Sequence, residues 1–161
     1  MKSDASTSTF PIEFGLAAGL ALGISGQFPT AVLAAIAWFF LRKIRPQLAS
    51  SLVLVASLYL APLIISPVAI AMGLMVPSAI VEMIAVTLVA LLLFLTAAPV
   101  WSYLLIAHSL GTILIRLLNF QGASLNDSQR RLLLGVIVLK AVIIWILIMN
   151  LRRQKSPPAG A

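Results

Sequence analysis

The stretch LLLGVIVLKAVIIWILIMNL, Leu132–Leu151, holds twenty residues, and Lys140 is the one charged residue among them. A helix of about 20 apolar residues crosses the hydrocarbon core of a bilayer, which is about 30 Å thick. Insertion scales put a central lysine at about +2.5 to +3.5 kcal/mol, whereas the 14 Leu, Ile and Val residues here contribute roughly −4 to −8 kcal/mol. The stretch is therefore predicted to cross a membrane as a helix, with its lysine near the bilayer centre.

Similar apolar runs fill most of the chain. No charged residue lies between Glu13 and Arg42, between Arg45 and Glu82, or between Glu82 and Arg116. Of the 161 residues, 61% are hydrophobic and 9% are charged, against roughly 25% charged residues in a soluble domain. The runs lack the alternation of barrel strands, so they must satisfy their backbone groups as helices. We predict an all-α fold, a multi-pass transmembrane helical bundle of about five spans, with four as the alternative.

The predicted bundle occupies residues 14–151. A polar N-terminal tail, 1–13, precedes it, and a basic, Pro-containing tail, 152–161, follows it. The clearest aqueous loop is 119–131, and Pro99 is expected to end or bend the third span. The spans are expected at about 14–41, 48–66, 78–98, 100–118 and 132–151.

The first run, 14–41, is too long for one untilted crossing, because a continuous helix of that length measures about 42 Å. Its middle, Gly23 to Pro29, combines flexible glycines with a helix-breaking proline. We therefore expect a kink or a break there. The favoured interpretation is one tilted helix kinked near Pro29, and the alternative is a re-entrant hairpin of two half-helices.

Basic residues predict the orientation. With five spans, six basic residues lie on one side and four on the other, and the positive-inside rule places the larger group in the cytoplasm. We therefore expect a protein of the cell (inner) membrane with a cytoplasmic C-terminus. The six are Arg42, Lys43, Arg45, Arg152, Arg153 and Lys155, and the four are Lys2, Arg116, Arg130 and Arg131.

Ionisable side chains inside spans are the main functional candidates, because they face a bundle interior or a wet cavity. Glu82 is the natural partner of Lys140, but it lies about one turn inside the third span, well above the level of the lysine. The fourth segment adds a polar stripe, within about 120° at 100° per residue. The polar intramembrane candidates are Glu82, His108, Ser109, Thr112, Arg116 and Lys140.

The first run also carries a series of small residues. Gly15, Gly19 and Gly23 fall on one helix face and allow another backbone to approach closely. The face is interpreted either as a seam for self-association or for a partner, or as packing within the chain's own bundle.

Several functions are disfavoured. The single histidine, the absence of cysteine and the lack of an acidic cluster argue against a metal site, and no motif for a cofactor or for hydrolysis is found, so we expect no enzyme activity. The net charge of +7 fits anchoring beside apolar runs better than nucleic-acid binding.

Two functional hypotheses follow. The first is a small membrane protein that acts by helix association, as a homo-oligomer or as an accessory or assembly subunit of a membrane complex. Its partners are the lipid bilayer and other membrane subunits or copies of itself. The alternative is a small transporter or channel with a polar path near Lys140, His108 and Glu82.

Overall fold

The computed structural model describes residues 12–73, 78–122 and 126–155, with side chains for 15–73, 80–118 and 126–154. Within these ranges the chain is all-helical, as predicted, with six helices and no strand. Of the predicted tails, 1–13 and 152–161, residues 12–13 and 152–155 belong to helices, and residues 1–11 and 156–161 lie outside the described part of the chain. The helices are α1 Ile12–Ile24, α2 Phe28–Ile44, α3 Ser50–Ala71, α4 Ser78–Thr96, α5 Pro99–Gly122 and α6 Asp127–Lys155.

Three of these helices are long and apolar enough to cross a membrane. They comprise Ser50–Ala71, Pro99–Leu118 and Asp127–Gln154, and shorter apolar helices occupy Gly15–Ile24 and Ile80–Thr96. The lengths and composition of the described helices thus support a membrane protein, and the number of spans stays a prediction.

The centre of the bundle is α3. Every residue from 50 to 59 is buried, because α3 packs against α2, α4 and α6. The other main pairs are α1 with α6, α4 with α5, and α5 with α6. A helix that is apolar on all sides, as α3 is, belongs in such a central position.

The helix α3 continues beyond the predicted end of the second span at Ser66, although Pro62 and Pro67 lie inside it. Pro67 has no N–H to donate to the carbonyl of Leu63, and the hydroxyl of Ser66 donates to that oxygen instead at 2.8 Å. Because a neighbouring side chain satisfies the freed carbonyl, the proline does not end the helix. The expected connection, 67–77, is helical as far as Ala71, and residues 74–77 lie outside the described part of the chain.

The predicted interruption of the first run is present between α1 and α2. Gly26 has a positive φ of 70°, and the N–H of Gln27 donates to the carbonyl of Leu22 at 2.9 Å. Together with the bond from the Gly26 N–H to the Gly23 carbonyl, 3.0 Å, this forms a Schellman motif that ends α1. A new helix starts at once, with Pro29 in its first turn. Residues 14–41 therefore do not form one continuous helix.

The helices α1 and α2 pack mainly against different helices, α1 against α6 and α2 against α3. A Cβ atom added to Gly135 of α6 would lie 2.7 Å from the carbonyl oxygen of Ala21, so the end of α1 touches α6 there. The far end of α2 is joined to the start of α3, where the Trp38 indole N–H donates to the Ser50 carbonyl at 3.3 Å.

The stretch 14–41 thus forms two helices and not the one kinked helix that we favoured, and the alternative of a re-entrant hairpin stays a prediction. With 13 and 17 residues, α1 and α2 measure about 20 and 26 Å, each short of the ~30 Å core.

Basic side chains collect at one end of the bundle, which we call the basic end. Here the Arg45 guanidinium donates to the carbonyls of Phe94, at 2.7 Å, and Leu95 at the end of α4. Nearby, the Gln154 amide donates to the Ala97 carbonyl at 3.5 Å. The described cations of the basic end are Arg42, Lys43, Arg45, Arg152 and Arg153. The start of α4 and of α6 form the opposite end, which we call the Glu82 end.

The turn between α4 and α5 has an unusual backbone. Ala97 has a φ of 54°, and its N–H donates to the Leu93 carbonyl at 2.8 Å. Alanine rarely adopts this left-handed conformation. Pro99 then opens α5, so it ends the predicted third span rather than bending it.

A candidate polar site inside the bundle

Lys140 of α6 meets a tyrosine of the central helix. Its ammonium donates to the hydroxyl oxygen of Tyr59 at 3.2 Å and lies 4.4 Å from the centre of the tyrosine ring. Both a lone pair and a ring face therefore stabilise the cation. Lys140 is only partly exposed, and Tyr59 is buried.

Two further helices hold Tyr59 in place. Its hydroxyl lies 3.1 Å from the hydroxyl of Ser109 in α5, which is fully buried. The two hydroxyls share one hydrogen bond, in which either oxygen can be the donor. In α4, the hydroxyl of Thr87 donates to the backbone carbonyl of Tyr59 at 3.0 Å. We call Tyr59, Thr87, Ser109 and Lys140 the Tyr59 cluster, and it joins four helices.

A second polar pair lies between this cluster and the protein surface. His108 Nε2 is 3.9 Å from Glu82 Oε1, and the His108 and Tyr59 rings are 6.4 Å apart. The His108 side chain is 25% exposed and that of Glu82 is 68% exposed. Polar groups thus lead from the surface at the Glu82 end toward Lys140, with His108 between the two.

The other predicted polar residues lie along the same helix. Thr112 donates to the His108 carbonyl at 3.0 Å, which is a bond within α5. Arg116 follows about two turns beyond His108, toward the Glu82 end.

On the side of the basic end, the cluster meets an apolar layer. Leu54 and Leu58 of α3 pack there in one buried core with Ile143, Ile146 and Leu147 of α6. From Lys140 to Asn150, α6 rises about 15 Å. No side chain of α6 between these two residues extends the row of polar contacts. Within the described part of the chain, the polar contacts of the Tyr59 cluster stop at this layer.

Beyond the layer, a buried polar pair joins α3 to α6. The Asn150 amide donates to the Ser51 hydroxyl at 2.9 Å and to the carbonyl of Ile146 at 2.8 Å. Ser51 and Asn150 bond to each other, and Asn150 also bonds to its own helix. The pair thereby sets which turn of α6 lies beside the start of α3.

The glycine series lies on the outer face of α1. The buried residues of α1 are Ala18, Ala21 and Leu22, whereas Gly19 is exposed and has no neighbouring side chain within 4 Å of an added Cβ. Gly15, Gly19 and Gly23 line an open apolar groove that Phe28 closes at one end. Packing inside the bundle therefore uses the alanines, and the glycine face is left open.

No family model, curated protein or solved structure matches this chain. Function has to be argued from the geometry. Among the described residues, no group of three or more His, Asp or Glu side chains could hold a metal ion.

Sequence reasoning missed Tyr59, Thr87 and the Ser51–Asn150 pair. A signal for Tyr59 was present, because a tyrosine inside a long charge-free run needs a partner for its hydroxyl. Thr87 gave no such signal, since threonine bonds to its own helix in many spans.

Proposed function

We propose that this protein is a small membrane transporter that moves protons, with the Tyr59 cluster as its central relay. The observation that carries the proposal is the Lys140 ammonium, held inside the bundle by the hydroxyl of Tyr59 at 3.2 Å. An ionisable side chain at the level of the bilayer core is costly and is a functional candidate by default.

The neighbours of Lys140 support a proton rather than a larger solute. Tyr59 and Ser109 extend the row by a second hydrogen bond of 3.1 Å, in closely packed surroundings that leave both residues buried. A proton needs no cavity to pass along hydrogen bonds, whereas a solute does. His108, whose imidazole can both accept and donate a proton, lies between this row and Glu82.

The one-sided shape of the polar row favours a carrier over an open channel. The row reaches the surface through the largely exposed Glu82, and it ends at the apolar layer around Leu58 and Ile146. A transporter in which access alternates between the two sides has such a closed barrier in each state.

We further infer a cell (inner) membrane location with the basic end in the cytoplasm. The Arg42 to Arg45 turn and the Arg152–Arg153 pair lie together at that end, which is the distribution that the positive-inside rule describes.

The test is proton flux into liposomes that contain the purified protein and an internal pH-sensitive dye, driven by an imposed potential. Lys140→Met should abolish the flux and preserve the assembled protein, because an apolar side chain in place of a buried charge is tolerated or stabilising. Lys43→Met is the matched control, since it makes the same change at an exposed position of the basic end. Flux that persists in Lys140→Met and equals that of the control would rule the proposal out.

The open glycine face of α1 favours a second candidate function, assembly with a second copy or with another membrane subunit. Small-xxx-small faces drive helix association in membranes, and none of the described residues covers this one. Gly19→Leu should reduce the oligomer in chemical crosslinking of membranes. Ala35→Leu, at another exposed small residue on α2, should leave it unchanged. Equal crosslinking in both variants would exclude the α1 face.

A further inference from the structure

Among the described side chains, the basic end carries several cations and no carboxylate. The described carboxylates, Glu82 and Asp127, belong to the Glu82 end. Of the cations at the basic end, Arg45 is engaged by the carbonyls of α4. The Lys43 ammonium lies 4.4 Å from the Phe39 ring centre and is exposed to the surroundings.

Arg42 is in a different position from these exposed cations. Its Nη1 is buried and has no hydrogen-bond partner among the described residues, while the guanidinium carbon lies 5.6 Å from the Trp38 ring centre. A buried, charged donor without an acceptor costs free energy that a hydrogen-bonded anion would recover. The Trp38 ring covers one face of the Arg42 guanidinium. An anion therefore has to approach the guanidinium from its edge.

We propose that Arg42 binds the phosphate of an anionic phospholipid in the leaflet at the basic end. The guanidinium fork matches the geometry of a phosphate group, and the neighbouring cations add a favourable field. On the preceding turn of α2, Ile36, Phe39 and Phe40 are exposed and apolar, so they offer a surface for acyl chains directly beside the headgroup. This continuity of cation and apolar surface favours a lipid over a free phosphate. Trp38 suits the same level, because tryptophan is enriched where a bilayer meets water.

The experiment measures lipid binding to the full chain in nanodiscs of phosphatidylcholine with and without phosphatidylglycerol, with native mass spectrometry counting the lipids that stay bound. Lys43→Gln should weaken phosphatidylglycerol retention about fivefold, as expected for one exposed charge near an anionic surface. Arg42→Gln should weaken it roughly tenfold or more, because it also removes a charge-assisted hydrogen bond. Arg42→Lys keeps the charge but lacks the guanidinium fork. It should therefore restore only the roughly fivefold share of phosphatidylglycerol retention that is due to one charge.

Three outcomes would overturn the proposal. Equal losses in Arg42→Gln and Lys43→Gln would mean a diffuse field and no site at Arg42. Equal retention of the two lipids by the unsubstituted chain would mean that the headgroup charge is not recognised. Competition by inorganic phosphate alone, at the concentration of the lipid headgroup, would mean that the ligand is a free phosphate.

Discussion

Replacing Tyr59 with phenylalanine tests the polar cluster directly. The change removes the acceptor of the Lys140 ammonium and the hydrogen bond with Ser109, but it keeps the aromatic ring and the backbone carbonyl that Thr87 binds. A hydrogen bond to a charged group contributes about 1.5–3 kcal/mol in soluble proteins, while bonds between membrane helices average about 0.6 kcal/mol. Tyr59→Phe should therefore lower the free energy of unfolding by about 1–3 kcal/mol.

The same substitution in a Lys140→Met background isolates the contact with the ammonium. Only the bond to Ser109 is then lost, so Tyr59→Phe should cost about 0.5–1 kcal/mol, and the coupling between the two sites should be about 1–2 kcal/mol. Reversible unfolding by SDS in mixed micelles, followed by helical circular dichroism, measures all four proteins. Tyr103→Phe is the control, because Tyr103 is half exposed, and its effect should stay within about 0.5 kcal/mol. An equal cost of Tyr59→Phe in both backgrounds would refute the contact.

Three further substitutions test how the helices are joined, each by the same unfolding titration. Gly135→Ala should destabilise the bundle by about 1–3 kcal/mol, because the new methyl group meets the backbone of α1, whereas Gly19→Ala points into open space and should not; equal effects would mean that α1 does not pack on α6 at this point. Ala97→Gly should stabilise the protein by about 1 kcal/mol, since glycine adopts a φ of 54° without strain, and any loss of stability would contradict the left-handed turn. Arg45→Gln should cost about 1–3 kcal/mol by freeing the carbonyls at the end of α4, and an unchanged midpoint would contradict that tether.

The sequence predicted the features of this fold that depend on local chemistry. Charge-free runs indicated the long apolar helices, and the glycines and proline near Gly26 indicated the break that separates α1 from α2. The second span was predicted to end near Ser66, because Pro67 was taken as a helix end. The helix continues, because the Ser66 hydroxyl donates to the Leu63 carbonyl the hydrogen bond that the proline cannot donate. That compensation is itself local and could have been anticipated.

Contacts between distant segments were beyond the reach of the sequence. Lys140 was placed inside a helix correctly, but its contact is with Tyr59, and this depends on how α3 and α6 are rotated about their axes. The packing of α1 on α6 at Ala21 is a second such contact, which no local pattern encodes. Both depend on tertiary packing.

The apolar layer between Lys140 and the basic end also has an electrical consequence. In a bundle that spans an energised bilayer, the potential would fall mainly across the least polarisable part of the protein, and Leu54, Leu58 and Ile146 form a packed apolar layer of that kind. Moving one elementary charge through the full potential costs about 2.3 kcal/mol per 100 mV. A charge at Lys140 sits at the edge of this layer, so the occupancy of that position by a proton would respond to membrane voltage as well as to pH. The apolar layer would thus make the charge at Lys140 sensitive to the voltage across the membrane.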